Sequence, residues 1–359
     1  MAETVHIAEI SEKLSDELFA EFLWAKVGPT NQNWSCEQQE DHGCKTHPSD
    51  VVFYYDEPYS QTRTYVQCDL KSYAKDSISK QAIHGAIESL AKQVTCAEIS
   101  AEWQNFYLHP DVTAEITGLL FVYNHDGEYD KEFNKLLNSF KQENLKLPSD
   151  AKIVVLGPED IYWLDNVRFE IRLLRSSEGK DRLPERKKCE YFYPQLVRKA
   201  NLQAFKAKAA NLEMLTAPWI VLKYKMENGD KDWGVIVFYR RTGSKVEEFM
   251  YLIDYLRHYQ VLNTNTFVQI KVLDSGNSAG PQFQKAVQKY IDDIEHEESE
   301  EDLLDEGDET SEIGSATSGN GKTKRIDSDL ATLVREIKFS KMQQVVSTFS
   351  TVVLGMDYE

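Results

Sequence analysis

The sequence of 359 residues has no long apolar run and few residues of the kinds that mark fibrous or disulfide-bonded proteins. A membrane-spanning helix needs about 18 consecutive apolar residues, and no run approaches that length. Glycine (17) and proline (10) are too sparse for a fibrous chain. The acid-dotted N-terminus lacks the basic flank and apolar core of a secretory signal. Five cysteines, an odd and low number, indicate reduced thiols. We therefore expect a cytoplasmic protein with no membrane partner.

Two families of catalytic motif are also missing. The chain has no glycine-rich phosphate-binding loop and no Gly-x-Ser-x-Gly, so neither an NTPase nor an esterase is supported. What is present is 41% hydrophobic residues, enough for a sizeable core, and a length typical of two domains.

Charge is unevenly spread along the chain. The net charge is −18, but 13 acids and no lysine or arginine lie between Asp292 and Glu312. The stretch 180–208 has nine basic residues against three acids. Its centre, Arg186, Lys187 and Lys188, is a candidate nucleic-acid contact, because lysine and arginine neutralise backbone phosphates. A solvated linker and helix face is the alternative interpretation of the same stretch.

Hydrophobic periodicity predicts an α/β fold for the first half of the chain. The predicted elements are helix 11–27, a hairpin of strands 51–55 and 64–70, helix 77–95, strand 115–123, helix 130–143, strand 152–156 and helix 158–175. This order favours a mixed sheet flanked by helices, with an opening hairpin and later crossovers.

Composition shifts divide the chain further. We predict a first domain over 1–175, a basic linker over 176–198, a smaller α+β domain over 199–294, an acidic disordered linker over 295–325 and a C-terminal tail over 326–359. The second domain is expected to contain a helix over 199–213, a hairpin of strands 219–225 and 233–239, helix 244–260, strand 266–273 and helix 281–294.

The residues that carry chemistry lie on the first hairpin. Side chains alternate between faces along a strand, so Asp69 and Lys71 share the face opposite Val66 and Cys68. We expect that face to be open and polar. Asp50 begins the preceding strand, and a hairpin can bring it beside Asp69. Two carboxylates next to an ammonium group suit Mg²⁺, which prefers carboxylates, waters and phosphate oxygens.

These residues resemble the PD-(D/E)XK, or restriction-endonuclease-like, nucleases. The resemblance rests on Pro48-Ser49-Asp50 followed by Asp69-Leu70-Lys71 between two helices, and it covers residues 8–175. Ser49 is an insertion relative to the Pro-Asp of the family.

The resemblance implies that Asp50 and Asp69 bind Mg²⁺, for which Mn²⁺ can substitute, and that Lys71 orients the attacking water. It also implies a metal-binding glutamate from the first helix, for which Glu17 is the candidate and Glu21 the reserve. Gln93, on the following helix, is a further candidate that could reach the site, or it could simply be solvated.

The expected function is a metal-dependent nuclease that acts on DNA rather than RNA, in roles such as restriction, repair or anti-phage defence. The alternative is a catalytically inactive nuclease-like scaffold that binds protein or nucleic acid within a complex. A protein partner, or a second copy of the chain, would bind through the second domain or the apolar tail.

A second cluster of chemistry-bearing residues lies just before the motif. Cys36, His42, Cys44 and His47 are zinc-ligand residue types within twelve positions. Their spacing matches no standard zinc motif, and a polar loop is the other interpretation. The sequence leaves the choice open.

Overall fold

The computed structural model describes residues 12–13, 15–140, 145, 147, 151–179, 182–194, 208–227, 230–273, 278–305 and 329–344. Within these residues no helix is long and apolar enough to cross a membrane. The chain forms two compact units. The described residues of the first are those up to Leu173 together with 208–217, and those of the second are 174–194 and 218–344.

The first unit is built on a five-stranded mixed sheet of order β1-β4-β5-β6-β7. Strand β4 runs antiparallel to both of its neighbours, β1 and β5. Strands β5, β6 and β7 are parallel to one another. The elements are α1 (15–21), β1 (Ala25–Val27), β2 (Gln32–Ser35), α2 (Gln39–His42), β3 (Thr46–Ser49), β4 (Val51–Asp56), β5 (Thr62–Tyr73), α3 (Lys80–Ala97), α4 (Ala101–Tyr107), β6 (Thr113–Asn124), α5 (Phe133–Asn138), β7 (Ile153–Leu156), α6 (Pro158–Ser176) and α7 (Leu212–Thr216).

The central strand β5 is buried on both faces. On one face Tyr65 joins a core that includes Ile83, Leu90 and Val94 of α3. On the other face α1 supplies Phe19, whose ring lies 5.2 Å from that of Phe53. A central strand covered on both sides is the expected result of parallel crossovers, because their helices lie on the sheet. The predicted mixed sheet flanked by helices is therefore confirmed.

The first helix is shorter than predicted. It ends at residue 21, and Ala25–Val27 form β1, which pairs antiparallel with β4. Leu23 adopts a φ of 65°, a left-handed conformation that ends the helix. Helical spacing of apolar residues alone could not reveal a three-residue edge strand.

The second unit repeats the topology of the first. Its sheet has the order β8-β9-β10-β11-β12, with β8, β9 and β10 antiparallel and β10, β11 and β12 parallel. The elements are β8 (Cys189–Tyr191), β9 (Trp219–Lys225), β10 (Trp233–Tyr239), α8 (Val246–His258), β11 (Thr266–Val272), α9 (Ala279–Asp305), α10 (329–335) and β12 (Lys338–Lys341). In both sheets a helix connects the central strand to the parallel strand beside it.

Several predicted boundaries differ from this organisation. The predicted linker 176–198 contains β8, an edge strand of the second sheet. The predicted tail contains α10 and β12, which complete that sheet and its core. Helix α9 continues to Asp305, into the acidic segment expected to be disordered. Most of the predicted helix 199–213, and the apolar run after Gln344, lie outside the described residues.

Gly28 is a position where the fold of the first unit requires glycine. Its φ is 67°, and a Cβ there would lie 2.4 Å from Cδ1 of Tyr107 and 2.7 Å from the carbonyl oxygen of Phe106. We expect Gly28→Ala to lower the free energy of unfolding by about 2–4 kcal/mol, because conformational strain adds to a clash with backbone. Urea denaturation measures the loss.

Gly127 provides the matched control, since its φ is 66° but a Cβ there meets nothing within 4 Å. Gly127→Ala should cost only about 1 kcal/mol. Equal losses in the two variants would contradict the role assigned to the Tyr107 and Phe106 contact.

Candidate functional site

The register of the β4–β5 hairpin brings Asp50 and Asp69 together. Val51 pairs with Cys68, so the preceding residue of one strand lies against the following residue of the other. The backbone N–H of Leu70 donates to Asp50 Oδ2 over 2.7 Å, which fixes this carboxyl at the start of β4. The convergence expected from the hairpin pattern is therefore present in the structure.

Lys71 completes the group. Its Nζ lies 2.5 Å from Asp69 Oδ1, and Asp69 is 4% exposed. Burial by itself lowers the pKa of Lys71. Attraction to Asp69 and Asp50, together with the hydrogen bond that Lys71 donates to Asp69, outweighs burial and raises the pKa overall. The lysine is therefore cationic at neutral pH and is held beside the carboxylate.

Asp50 is the carboxyl group of this set whose ionisation is opposed by its surroundings. Burial raises its pKa to about 6, opposed by the Leu70 N–H and by Lys71, and reinforced by repulsion from Asp69 and by a hydrogen bond with its carboxyl. Two carboxylates in one partly desolvated place cannot both ionise without cost. Lys71 alone therefore does not supply enough positive charge to stabilise both carboxylates in their ionised form.

The expectation of an open polar face on β5 is wrong. Residues 64–69 are all buried, including Tyr65, Gln67 and Asp69 on the face assigned to solvent. Helices α3 and α4 cover this face, since Gln93 and Trp103 both bond to Gln67. The strand becomes partly exposed only from Leu70 onward, so the group opens to solvent at the Lys71 end.

Gln67 organises the buried polar contacts behind the carboxylates. Its Oε1 accepts from Ser49 Oγ and Trp103 Nε1. Its Nε2 donates to the Pro48 carbonyl and to Gln93 Oε1. Gln93 is 2% exposed and so is neither solvated nor open to a substrate. The network fixes the backbone immediately before Asp50 to the strand that carries Asp69, which restricts both carboxylates.

Glu17 and Glu21 make their contacts with helix α6. Glu17 Oε2 lies 2.7 Å from Nη1 of Arg168 and 3.1 Å from Nη1 of Arg172. The buried Glu21 lies 3.4 Å from Nε of Arg172. Neither glutamate is among the groups with the largest effects on the pKa of Asp50. These ion pairs join α1 to α6, whereas the sequence analysis placed Glu17 beside the two aspartates.

Asp16, on the same helix, is the acid that the sequence analysis missed. Its Oδ2 pairs with Lys26 Nζ over 2.7 Å, while its Oδ1 is buried with no hydrogen-bond partner. The charges that raise the pKa of the buried Cys68 thiol, after burial itself, are those of Asp50, Asp69 and Asp16. Asp16 therefore lies near enough to β5 to act on the Cys68 thiol, as Asp50 and Asp69 do.

The basic residues Arg186, Lys187 and Lys188 lie in the second unit, in a short 3₁₀ turn before β8. Lys187 Nζ pairs with Glu185 over 2.8 Å, and Lys188 pairs with Glu227. All three side chains are exposed. Exposed ion pairs are worth little, so these lysines can exchange their partners for phosphates.

The second sheet lacks the carboxylate pair. Trp219, the first residue of β9, pairs with Tyr239, so the positions that correspond to Asp50 and Asp69 are Pro218 and Arg240. The two units share strand order and direction, but only the first places two acids at this end of the hairpin.

The residues of the first unit fit a divalent cation. Asp50 and Asp69 offer the carboxylate oxygens that Mg²⁺ prefers. Leu70 N–H engages one oxygen of Asp50 and Lys71 one oxygen of Asp69, so each carboxylate retains a second oxygen. The raised pKa of Asp50 reports the deficit of positive charge that such a cation would remove.

The metal-free stability of the protein should depend on Asp50. Its folded-state pKa of about 6 lies above the ordinary value of 3.8, so the folded state holds the proton more tightly. Stability from this group is therefore lost as the pH rises from about 4 to about 6. With chelator present at pH 7.5, Asp50→Asn should raise the free energy of unfolding by about 1–3 kcal/mol, and the gain should vanish near pH 4.

Urea denaturation measures these free energies of unfolding. Asp56, at the other end of β4, supplies the control residue. It accepts from Arg63 Nε over 2.7 Å, so Asp56→Asn should give no gain at either pH. A less stable Asp50→Asn protein at pH 7.5 would contradict the predicted repulsion.

One family model matches the chain. Residues 1–160 match the family described as GAPS4 protein PD-(D/E)XK nuclease domain. No curated protein and no solved structure matches. The matched range contains Asp50, Asp69 and Lys71 and most of the first mixed sheet. The resemblance found from the motif is thus confirmed, and residues 1–160 of this chain are similar to a PD-(D/E)XK nuclease domain.

Proposed function

We propose that this chain is a metal-dependent nuclease that hydrolyses phosphodiester bonds, in DNA rather than RNA, and serves in anti-phage defence. The observation that carries the proposal is the convergence of Asp50, Asp69 and Lys71 at one end of the β4–β5 hairpin. The match of this region to a nuclease family supports it. The choice of DNA and the defence role rest on the resemblance alone.

Each residue of the group has a distinct role in this proposal. Asp50 and Asp69 hold Mg²⁺, for which Mn²⁺ can substitute. When bound, the cation supplies concentrated positive charge that stabilises the phosphodiester as negative charge builds up on it. Lys71, fixed by Asp69, orients the attacking water through its ammonium protons. Asp16, with its unpartnered carboxylate oxygen, is the supporting acid from α1 in place of Glu17.

The second unit serves binding instead of catalysis in this proposal. It has the topology of the nuclease sheet without the carboxylates, and Arg186, Lys187 and Lys188 are exposed on it. These side chains contact the phosphate backbone of the nucleic acid. The unit is also the surface through which a protein partner or second copy binds. The absence of a disulfide among the five cysteines, all of which the structure describes, favours a reducing cytoplasm.

Cleavage by the purified full chain tests the proposal. Supercoiled plasmid, linear duplex, single-stranded DNA and structured RNA are incubated with MgCl₂, with MnCl₂ or with chelator. We expect metal-dependent cleavage of DNA, and a loss of about two to four orders of magnitude in Asp50→Asn, Asp69→Asn and Lys71→Met. Since the second sheet lacks the acids, substitution in the first unit alone should remove the activity. The assay is repeated with proteins encoded beside this chain.

A second Asp–Lys ion pair supplies the matched controls. Lys75 Nζ lies 2.9 Å from Asp130 Oδ2 at the surface, and Lys75 follows Lys71 by four residues. Lys75→Met and Asp130→Asn should cleave like the wild type. An Asp69→Asn protein as active as the wild type would overturn the assignment. A folded chain that binds DNA but never cleaves it would favour the inactive scaffold.

Variants of Asp16 and Glu17, which are adjacent on α1, distinguish a role in catalysis from a role in packing. Asp16→Asn should lower the cleavage rate by about ten-fold or more while leaving the unfolding midpoint nearly unchanged. Glu17→Gln should instead lower the free energy of unfolding by about 1–3 kcal/mol, because the buried Arg168 loses a partner. Rates and urea midpoints are measured on both variants. The reverse pattern would restore Glu17 as the acid that serves the site.

A further inference from the structure

Two cysteines and two histidines converge beside the nuclease motif, outside the group of Asp50, Asp69 and Lys71. Cys36 follows β2, His42 ends α2, His47 lies in β3 and Cys96 lies near the end of α3. One ligand atom from each lies within 4.8 Å of every other. Cys36, His47 and Cys96 are buried. Three of these residues are close in sequence, whereas Cys96 comes from a helix 49 positions beyond His47 and could not be linked to them by spacing.

Three of the six separations are given by close contacts, and they match the edges of a tetrahedron around one metal ion. Zn–S bonds of about 2.3 Å and Zn–N bonds of about 2.0–2.1 Å give edges of about 3.8 Å (S to S), 3.6 Å (S to N) and 3.3 Å (N to N). In the structure Cys36 Sγ lies 3.9 Å from Cys96 Sγ. His42 Nδ1 lies 3.4 Å from Cys36 Sγ and 3.2 Å from His47 Nε2.

Hydrogen bonding and disulfide formation account for this geometry less well. His42 Nδ1 carries either one proton or one lone pair, yet it faces both a sulfur and a second ring nitrogen. The two sulfurs are far beyond the disulfide bond length of about 2.05 Å. A shared cation satisfies all four atoms at once.

The surroundings of the cluster have the features of a metal site's outer shell. The backbone N–H of Glu37 donates to Cys96 Sγ over 3.1 Å, which stabilises a thiolate. Cys44 Sγ lies 3.7 Å from His47 Nδ1, the ring nitrogen that would not bind the metal. The Cys44 sulfur accepts a hydrogen bond from Nδ1–H and so fixes His47 in the tautomer that offers Nε2 to the metal.

We propose that Cys36, His42, His47 and Cys96 bind one structural zinc ion. Two thiolates and two imidazoles in tetrahedral array select zinc among common cellular metals. Four protein ligands leave no open position for substrate, so the ion stabilises the fold and does not take part in the hydrolysis. Cys44 belongs to the outer shell and is not a ligand.

The zinc ion would add a cross-link between the core and the segment that precedes the motif. Helix α2 has no buried residue, and β2 and β3 form a separate two-stranded sheet, from which Trp34 packs into the core. Through Cys96 the ion links this segment to α3, which packs on the central sheet. His47 lies three residues before Asp50, so the same ion holds the strand that leads into the nuclease motif.

Metal analysis of the full chain without an affinity tag tests the proposal. After dialysis against chelator, plasma mass spectrometry should find about one zinc per chain in the wild type. X-ray absorption at the zinc edge should show two sulfur and two nitrogen ligands. This measurement needs no variant, so it holds even if ligand variants fail to fold. The zinc can be removed with a strong chelator in denaturant, and the chain then refolded without metal. The unfolding temperature of the refolded protein should be lower by about 10 °C or more.

Four cysteine variants, one of them a control, define the ligand set. Cys36→Ser and Cys96→Ser should lose the zinc, whereas Cys44→Ser and the control Cys189→Ser, a buried cysteine of the second unit, should retain it. Loss of zinc from Cys44→Ser would contradict the proposed ligands. Wild-type chain without zinc would overturn the proposal, as would three titratable thiols instead of five in denaturant with chelator present, which would indicate a disulfide.

Discussion

The antiparallel register of β4 and β5 is the constraint on which the candidate site depends. Val51 against Cys68 sets Asp50 against Asp69, and alternation then places Lys71 on the same face. A slip of one residue would turn Asp69 and Lys71 to the opposite face of the sheet. Gln67 secures the register, because it bonds to Pro48 and Ser49 on one side and to Trp103 and Gln93 on the other.

The same arrangement makes the acids costly to the fold. Asp69 is buried, and Asp50 has a raised pKa because burial and a neighbouring carboxyl oppose its ionisation. Such unfavourable ionisation is typical of functional sites, where stability is lost in exchange for chemistry. Lys71 relieves part of it, and a divalent cation would relieve the rest. The binding of such a cation would return the free energy that the acids remove from folding.

The second unit has the strand topology of the first but not its acidic residues. Its five strands have the same order and directions as those of the first, yet Pro218 and Arg240 stand where the acids would be. Strand order follows from burying apolar faces such as that of Ile253 and Ile270, which requires no acid. A fold alone therefore does not indicate cleavage, and the assignment of activity rests on the residues of the first unit.

The sequence by itself determined the long elements and the motif. Strands β9 and β10 have the predicted bounds, and α3 and α6 lie within a few residues of theirs, because apolar periodicity over many residues is a local property. Asp50, Asp69 and Lys71 were found because strand alternation is local too.

Tertiary structure alone decided what depends on distant partners. It buried the face of β5 expected to be open, paired Glu17 with Arg168, and turned Asp16 toward Cys68. It also brought Cys96 to Cys36, and it folded the residues taken for a linker and a tail into the edges of the second sheet. Pairings between residues tens of positions apart leave no periodic signal, because they depend on how helices cover the sheets and not on the local sequence.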